Sequence, residues 1–462
     1  KIVLAIYLNG PFTLLFGMNA FAVRFPFFLF ACATLVVWWR LLELIRRQLQ
    51  LSRWFVAFGV TILVFSPWHF VFSRIAFESV ISLFFVVFGV WMTLTALESQ
   101  KRQTVLFLLA GLSFVGSLYA YHSAKIVVPM LMLTIAILWR TELLAVWRKI
   151  APTVVVSVLA LIPLLYDAIL GQGATRAGDL VFMQLDSASA VAQTIVGSIS
   201  AHLNPSFLLL GQGDELRHVV GSFGVIAPGT LVFMAVGLWH FYSLRGTKSA
   251  DQSIRSKYFW LSASWVMIGF LPGFLSVVFP HANRTLLALP GLLLLASFGF
   301  EYLVSQHKKT TSPITSLVLG TVVLVDVLWT VAFFNVYFTS YPEKSSASFQ
   351  SGYEQAVAEA KSALSGDNPV DSVLFSSKYG QPYIYVLFFN KISPISYHQG
   401  ALVQYLFPDQ LTVGDTYREN SLLIFTDKDP VAEKLKELEA ASLSTTTTDH
   451  NFYSVNTNTV TK

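Results

Sequence analysis

Apolar residues come in blocks of about twenty along most of the chain, each closed by a short polar or basic turn. A helix of roughly 20 apolar residues covers the ~30 Å hydrocarbon layer of a bilayer, so every such block predicts a membrane-spanning helix. Ten blocks qualify: residues 25–44, 54–72, 79–97, 104–120, 124–139, 152–170, 223–243, 258–279, 285–304 and 314–334. The opening stretch, residues 1–18, is interrupted by Asn9, Gly10 and Pro11, with Gly17 close behind. It reads as an interfacial or re-entrant segment rather than a span.

After Phe334 the pattern changes to that of a water-soluble domain. A helical stretch, Ser348–Leu364, precedes a strand-like run, Ser372–Ser376, and Gly380–Phe389 reads as another helix. Ser421–Thr426 and Asn451–Val455 read as further strands, with a charged amphipathic helix over Val431–Ala441. Strands alternating with helices predict a small α/β layer over residues 345–462. It has no glycine-rich phosphate loop, which makes it an accessory domain. The expected fold class is therefore an α-helical polytopic membrane protein, spanning residues 25–334, with a small C-terminal α/β domain.

Charge sets the orientation. Basic residues collect in alternate turns: Arg40, Arg46, Arg47 and Arg53; Lys101 and Arg102; Arg140, Arg148 and Lys149; Arg245, Lys248, Arg255 and Lys257; Lys308 and Lys309. The intervening turns are poor in cations, holding Arg74, Lys125, Arg176, Arg217 and Arg284, with Arg24 before the first block. By the positive-inside rule the rich turns face the cytoplasm. The C-terminal domain then lies outside it, and the protein is expected as a multi-pass protein of the cytoplasmic (inner) membrane. The outer loop over residues 171–222 is long, and long loops are functional or disordered. Its apolar runs, Leu180–Met183 and Phe207–Leu210, favour an ordered loop packed on the membrane surface.

Composition agrees. The 462 residues are 54% hydrophobic and only 12% charged, against roughly 25% charged in ordinary soluble chains. From Asn335 onward there are 9 Lys and Arg against 14 Asp and Glu, so the preceding zone holds 22 basic residues against 12 acidic. The basic balance thus belongs to membrane-facing turns and does not argue for nucleic-acid binding. The single cysteine, Cys32, lies in an apolar block, which excludes an intrachain disulfide. Residue 1 is Lys, and no signal-peptide pattern precedes the first block, so an N-terminal segment is expected to be missing.

Ionisable residues are costly in hydrocarbon, so those gathered at span ends on one side are candidates for chemistry. The outer side collects Arg24, His69, Arg74, Glu78, His122, Lys125, Asp167, Asp214, Glu215, Arg217, His218, His281 and Arg284. Arg74 and Glu78, spaced i and i+4 in a short connection, can share a helical face. They read either as a phosphate-holding arginine oriented by a glutamate or as an ion pair closing a helix hairpin. Arg284, after His281, stands near a helix start that favours anions, as a donor-phosphate ligand or as an interfacial arginine reaching headgroups. Asn283-Arg284-Thr285 also matches a glycosylation sequon, here a coincidence of its closeness to a span. Tyr119 to Lys125, including His122, fits an interfacial anchor as well as a site. The Gly213 to His218 segment matches no specific metal-ligand spacing and reads as a surface turn, so no metal ligands are assigned.

Four outer segments, Pro11 to Pro26, Ser66 to Glu78, Tyr121 to Lys125 and His281 to Arg284, together resemble glycosyltransferase family 39 of the GT-C superfamily, whose members are protein O-mannosyltransferase-like and aminoarabinose-transferase-like. Pro11 to Pro26, with Leu15-Phe16-Gly17-Met18-Asn19-Ala20-Phe21-Ala22-Val23-Arg24-Phe25-Pro26, is similar to the end of that family's first extracytoplasmic loop. Residues 1–24 would be that loop end, with an interfacial helix. Ser66-Pro67-Trp68-His69 leading to Ser73-Arg74 and Glu78 resembles the second outer loop of bacterial members. Tyr121-His122-Ser123-Ala124-Lys125 and His281-Ala282-Asn283-Arg284 complete the series.

The resemblance implies an inverting transferase that moves a sugar from a polyprenyl-phosphate carrier to a protein, lipid or glycan hydroxyl outside the cytoplasm. It implies a carboxylate base early in the first outer loop, upstream of Lys1, and a phosphate contact for Arg74. Glu78, Arg284 and His281 are further donor-phosphate candidates, and His122, Lys125 and Arg24 complete the set. The resemblance implies the lipid-linked sugar as donor and fixes no further cofactor, although a divalent metal is compatible with such chemistry. The rival reading is a transporter or flippase for a lipid-linked or small polar substrate. Transporters place ionisable residues near the midplane, often in repeated halves, and no internal repeat is evident here. A non-catalytic scaffold that binds through its tail is the third reading.

Overall fold

A computed structural model describes residues 4–170, 181–185, 187–243, 250–310, 313–433, 446–448 and 452–457. It divides into two compact units, residues 1–12 with 23–341 and residues 13–22 with 342–462.

Among the described residues, the long elements of the first unit are all helices. In chain order it contains α1 (Leu4–Phe16), α2 (Ala20–Leu49), α3 (Arg53–Val64), α4 (Pro67–Ser73), α5 (Glu78–Glu98) and α6 (Gln103–Ala120). These are followed by α7 (Ala124–Leu138), α8 (Arg140–Ala145), α9 (Trp147–Leu170), α10 (Val181–Gln184), α11 (Ala188–Leu203) and α12 (Pro205–Leu210). Then come α13 (Pro228–Ser243), α14 (Ala250–Phe274), α15 (Ala282–Thr285), α16 (Leu289–Thr310) and α17 (Pro313–Phe338). All ten apolar blocks are helical over most of their length.

By length and composition, six helices among the described residues can cross a membrane, and a seventh crossing results if α3 and α4 count as one span bent by 51°. The bend falls at Ser66, whose extended backbone precedes Pro67 at the first position of α4. Three predicted spans fall below that standard. The helices α7 and α13 have 15 and 16 residues, and α14 begins with Asp251, Arg255 and Lys257 and is diluted by Ser and Gly. The opening stretch is a single helix, α1, which carries Pro11 inside it.

Small residues allow the helices to approach, as expected where packing rather than water drives association. A Cβ on Gly299 of α16 would come within 1.8 Å of the Phe233 carbonyl oxygen of α13, and one on Gly237 within 2.4 Å of the Leu295 carbonyl. Between α5 and α6 the Ser82 and Ser117 hydroxyls share a 2.7 Å hydrogen bond. The α3 start is tied to α16, where Glu301 accepts from Ser52 N–H at 2.8 Å and from its hydroxyl at 2.5 Å. The stretch from Ala282 to Lys309 is the most buried candidate span, at 78%, whereas α9 and α17 are 6% buried and present apolar side chains outward. A helix apolar on all sides and exposed on most of them is made for lipid. The long outer loop carries α10, α11 and α12; residues 171–180, with Arg176, lie outside the described residues.

The second unit holds α18 (Tyr341–Ser345) at its start, α19 (Tyr353–Ser365), β1 (Ser372–Phe375), α20 (Pro382–Phe389), α21 (Pro394–His398), β2 (Tyr405–Leu406), β3 (Ser421–Phe425), β4 (Thr446–Thr448) and β5 (Phe452–Asn456). Strand order is β2-β1-β3-β5-β4. β1 runs parallel to β2 and β3, while β5 is antiparallel to β3 and β4. Alternation assigns the faces. Val373, Phe375, Leu422 and Ile424 pack with Tyr353, Val357 and Ala360 of α19, and Leu374, Leu423 and Phe425 pack with Val431 and Val455 on the opposite side. The α19 helix starts at Tyr353 rather than Ser348, because Gly352 holds a left-handed φ of 96° at its N-cap. Of the helix expected over Val431–Ala441, residues 431–433 are helical and 434–441 lie outside the described residues.

Candidate functional site

The turn after α12 leads to the main cluster. Gly211, at φ 66°, ends that helix in the left-handed region, and Gly213 adopts φ 87° where a Cβ would meet Pro280 at 2.9 Å. Asp214 follows directly, with a side chain 3% exposed, and accepts a 2.7 Å hydrogen bond from His218 Nδ1, itself 5% exposed. The segment is a turn, as expected, with Gly213 and Glu215 exposed, but the Asp214 and His218 side chains are buried rather than solvated. These two side chains fold inward because the partners of Asp214 come from elsewhere in the chain.

Those partners lie at the start of α15. The second Asp214 oxygen accepts the Ala282 N–H at 2.5 Å, and the His218 and His281 rings lie 4.7 Å apart, centroid to centroid. His281 N–H donates to His202 Nε2 at 3.0 Å, and His202 Nδ1 lies 2.8 Å from the Ser198 carbonyl. Phe72 and Phe77 cover His218, and Trp68 Nε1 donates to the Ala282 carbonyl at 3.1 Å. His202 was not singled out from sequence, since a lone histidine in an apolar helix carries no signal of its own.

Asp214, His218 and His281 each offer a ligand atom, all within 4.8 Å of one another. Oxygen and imidazole nitrogen suit a divalent cation such as zinc. His281 Nδ1 is buried without a hydrogen-bond partner, as a waiting ligand atom would be. Electrostatics points the same way. Burial, helped by the neighbouring His218, pushes His281 down to about 4, so its ring is neutral near pH 7. Burial alone would raise the Asp214 carboxyl, but His218, the Ala282 N–H and His281 together hold it below its ordinary value. Burial also lowers His202. An anionic carboxylate at Asp214 and a neutral ring at His281 are protonation states that metal ligands take.

Arg284, one turn from His281, donates to the Ser276 hydroxyl and adds its charge to the field at His202 and His281. Thr285 is fully buried beside it, which keeps the sequon out of reach. Arg74 forms a second group. Its guanidinium carbon lies 5.4 Å from the Tyr337 ring centroid and 5.9 Å from those of Phe70 and Phe338. Arg24 acts electrostatically on the same Tyr337.

Arg74 and Glu78 do not share a helical face. Arg74 caps α4, Glu78 begins α5, and the extended backbone of Phe77 lies between. The expected pairing between them is therefore corrected, and the arginine meets aromatic faces instead. His122 and Lys125 are half-buried in the turn that opens α7, where Lys125 N–H donates to the His122 carbonyl at 3.0 Å. His69 is buried, with Nε2 lacking a partner.

With kinked and closely packed apolar helices, helical outer loops and a C-terminal mixed sheet, the chain resembles the GT-C membrane glycosyltransferases in fold. It is similar to ArnT from Cupriavidus metallidurans bound to undecaprenyl phosphate, with a TM-score of 0.53 and 11% identity over 98% of this chain and 87% of that one. It is also similar to the Archaeoglobus fulgidus oligosaccharyltransferase tethered with an acceptor peptide, with a TM-score of 0.53 and 11% identity over 92% and 60% of the two chains. The same enzyme in complex with Zn and sulfate gives 0.52 and 10%, over 92% and 59%. At such identity the likeness is one of fold. No family model and no curated sequence matches the chain.

Proposed function

We propose that the protein is an integral-membrane glycosyltransferase of family 39 type, moving a sugar from a polyprenyl-phosphate-linked donor to an acceptor hydroxyl on the extracytoplasmic face. The observation that carries this reading is the buried Asp214, His218 and His281 cluster with Arg284 beside it. It lies at the end of the spans that the positive-inside rule puts outside. The ArnT structure that this fold resembles holds undecaprenyl phosphate, and the archaeal enzyme holds Zn and sulfate.

In the transfer, the bond between the anomeric carbon and the phosphate oxygen breaks. The acceptor oxygen bonds to that carbon from the opposite face and gives its proton to a base, and the carrier leaves as polyprenyl phosphate. A cation held by Asp214, His218 and His281 would supply positive charge to the leaving phosphate. Arg284 and Arg74 donate to phosphate oxygens, and His202 orients His281 through its backbone N–H. Phe72, Phe77 and Trp68 exclude water around His218, which strengthens every charge inside. The acceptor is a protein, lipid or glycan, and the membrane is the inner membrane of a cell envelope.

The transporter reading has one observation in its favour, Asp326 within the span α17 beside an apolar cavity of about 490 Å³. Its carboxylate, however, accepts the Gly229 N–H at 2.6 Å and so satisfies the start of α13. The deciding experiment supplies the protein, expressed from its full coding sequence, in proteoliposomes with polyprenyl-phosphate sugar labelled in the sugar, together with membrane protein, lipid and glycan acceptors. Label should move to an acceptor and polyprenyl phosphate should be released. Neither transfer nor donor binding would overturn the proposal, and movement of intact donor between leaflets would replace it with the transporter.

A further inference from the structure

The crossover that carries the chain from β1 to β2 is built unlike the rest of its domain. Across residues 381–407 the only formal charge is Lys391, and no Asp or Glu occurs. The neighbouring stretches are rich in acids: Glu343, Glu354, Glu359, Asp367 and Asp371 before it, and Asp409, Asp415, Glu419, Asp427 and Asp429 after it. A charge-poor segment in a small domain would ordinarily be core.

Much of this one faces outward. Tyr385, Val386, Phe389, Leu402, Tyr405 and Phe407 pack with the sheet and α19, while several other apolar positions are exposed. Ile395 is 71% exposed and Val403 83%, and Tyr383, Ile384, Tyr397 and Leu406 are exposed as well. The Tyr383 and Phe407 rings meet edge to face at 6.4 Å, so α20 is joined to the region of β2. β2 is an edge strand of the sheet. Apolar surface left in water forgoes about 25 cal/mol per Å² of burial, and a concentrated patch marks an interaction surface.

The occupant follows from chemistry and attachment. The patch mixes tyrosines with branched aliphatic residues and one lysine, a composition suited to the bilayer interface. The domain is tied to α17, a candidate span that ends at Phe338, with Tyr353 of the core helix α19 only a short stretch further on. At ~3.5 Å per extended residue, that tether keeps the domain within reach of the headgroup layer at high effective concentration. We propose that the α20, α21 and β2 face of the C-terminal domain docks on the lipid bilayer surface, with Tyr383, Ile384, Ile395 and Val403 entering the interface and Lys391 meeting anionic headgroups. The docking would hold the accessory domain down on the membrane on which the substrates arrive.

The test uses the full chain in a Cys32→Ser background, in vesicles of phosphatidylcholine and phosphatidylglycerol. Single cysteines replace Ile395, Val403 or, as a control, the exposed Asp367, and each carries a nitroxide. Labels at 395 and 403 should be accessible to oxygen and shielded from a water-soluble nickel chelate, whereas the label at 367 should show the reverse. Replacing Ile384 and Val403 with Asp, at exposed positions that leave the core intact, should return the label at 395 to water. Nickel accessibility at 395 and 403 equal to that at 367 would overturn the proposal. Shielding from both reagents would overturn it too, since protein rather than lipid would then cover the patch.

Discussion

The His218 and His281 rings lie 4.7 Å apart, their planes inclined by 31°, and Asp214 holds the first at 2.7 Å. Leaving the buried Nδ1 of His281 unpaired costs about 1–3 kcal/mol, which a bound cation would recover. The chelator-treated protein is expected to bind one equivalent of Zn²⁺ and to melt at a higher temperature with it, read by metal analysis and thermal unfolding. His281→Ala should abolish both effects. His202→Ala, which frees the His281 backbone N–H, should weaken the metal by roughly 10–100-fold. No melting shift with metal in the unaltered protein would reduce the cluster to a hydrogen-bonded Asp–His pair.

Arg74 sits over Phe70, Tyr337 and Phe338, which pre-orders its guanidinium without consuming all of its donors. Arg74→Ala is expected to weaken binding of polyprenyl phosphate by about tenfold or more, the scale of one charge-assisted hydrogen bond. Arg74→Lys should recover only part, because an ammonium keeps the charge and loses the fork. Affinity measured by lipid-exchange fluorescence and found unchanged in both variants would confine Arg74 to aromatic packing.

Gly299 and Gly237 let α16 and α13 touch backbone to backbone. A methyl at Gly299 would face the main chain of α13, which cannot swing aside. Gly299→Ala should therefore cost at least about 1–3 kcal/mol, the range for overpacking. Gly320→Ala is the matched control, since nothing lies within 4 Å of a Cβ there, and it should be neutral or slightly stabilising. Equal denaturation midpoints for the two variants would mean that the helices are not held at this distance in the membrane.

The helices were legible because a chain in hydrocarbon must satisfy its own backbone, so long apolar runs leave little choice of structure. Less legible was which of them span on their own, since α7 and α13 are only 15 and 16 residues long. The site was legible only in pieces. His281 and Arg284 stood out at a span end, but Asp214 and His218 meet His281 solely through the folding of a distant loop, and no spacing within one segment records that. Arg74 and Glu78 misled for the opposite reason: their i, i+4 spacing implies a shared face only if the helix is continuous, and Phe77 breaks it. In the tail, β1, β3 and β5 announced themselves by β-branched and aromatic content. The two-residue β2 and the threonine run of β4 are strands only because the sheet offers them an edge.

Glu359, on α19 of the C-terminal domain, provides a pH-dependent prediction away from the membrane. One carboxylate oxygen meets the Ser454 hydroxyl, while the other is buried with no partner, and burial raises the group above its ordinary value. A carboxyl raised in the folded state binds its proton more tightly there than in the unfolded chain. Stability from this residue is therefore fully present below about pH 4.5 and falls as pH rises through the folded value. Glu359→Gln removes the charge and keeps the shape, so it should stabilise the domain at pH 7 by about 1 kcal/mol, the scale of an unpaired buried polar atom. It should do little at pH 4. The check is the difference in unfolding midpoint between Glu359→Gln and the parent at the two pH values, and a difference that is the same at both would remove Glu359 as the source.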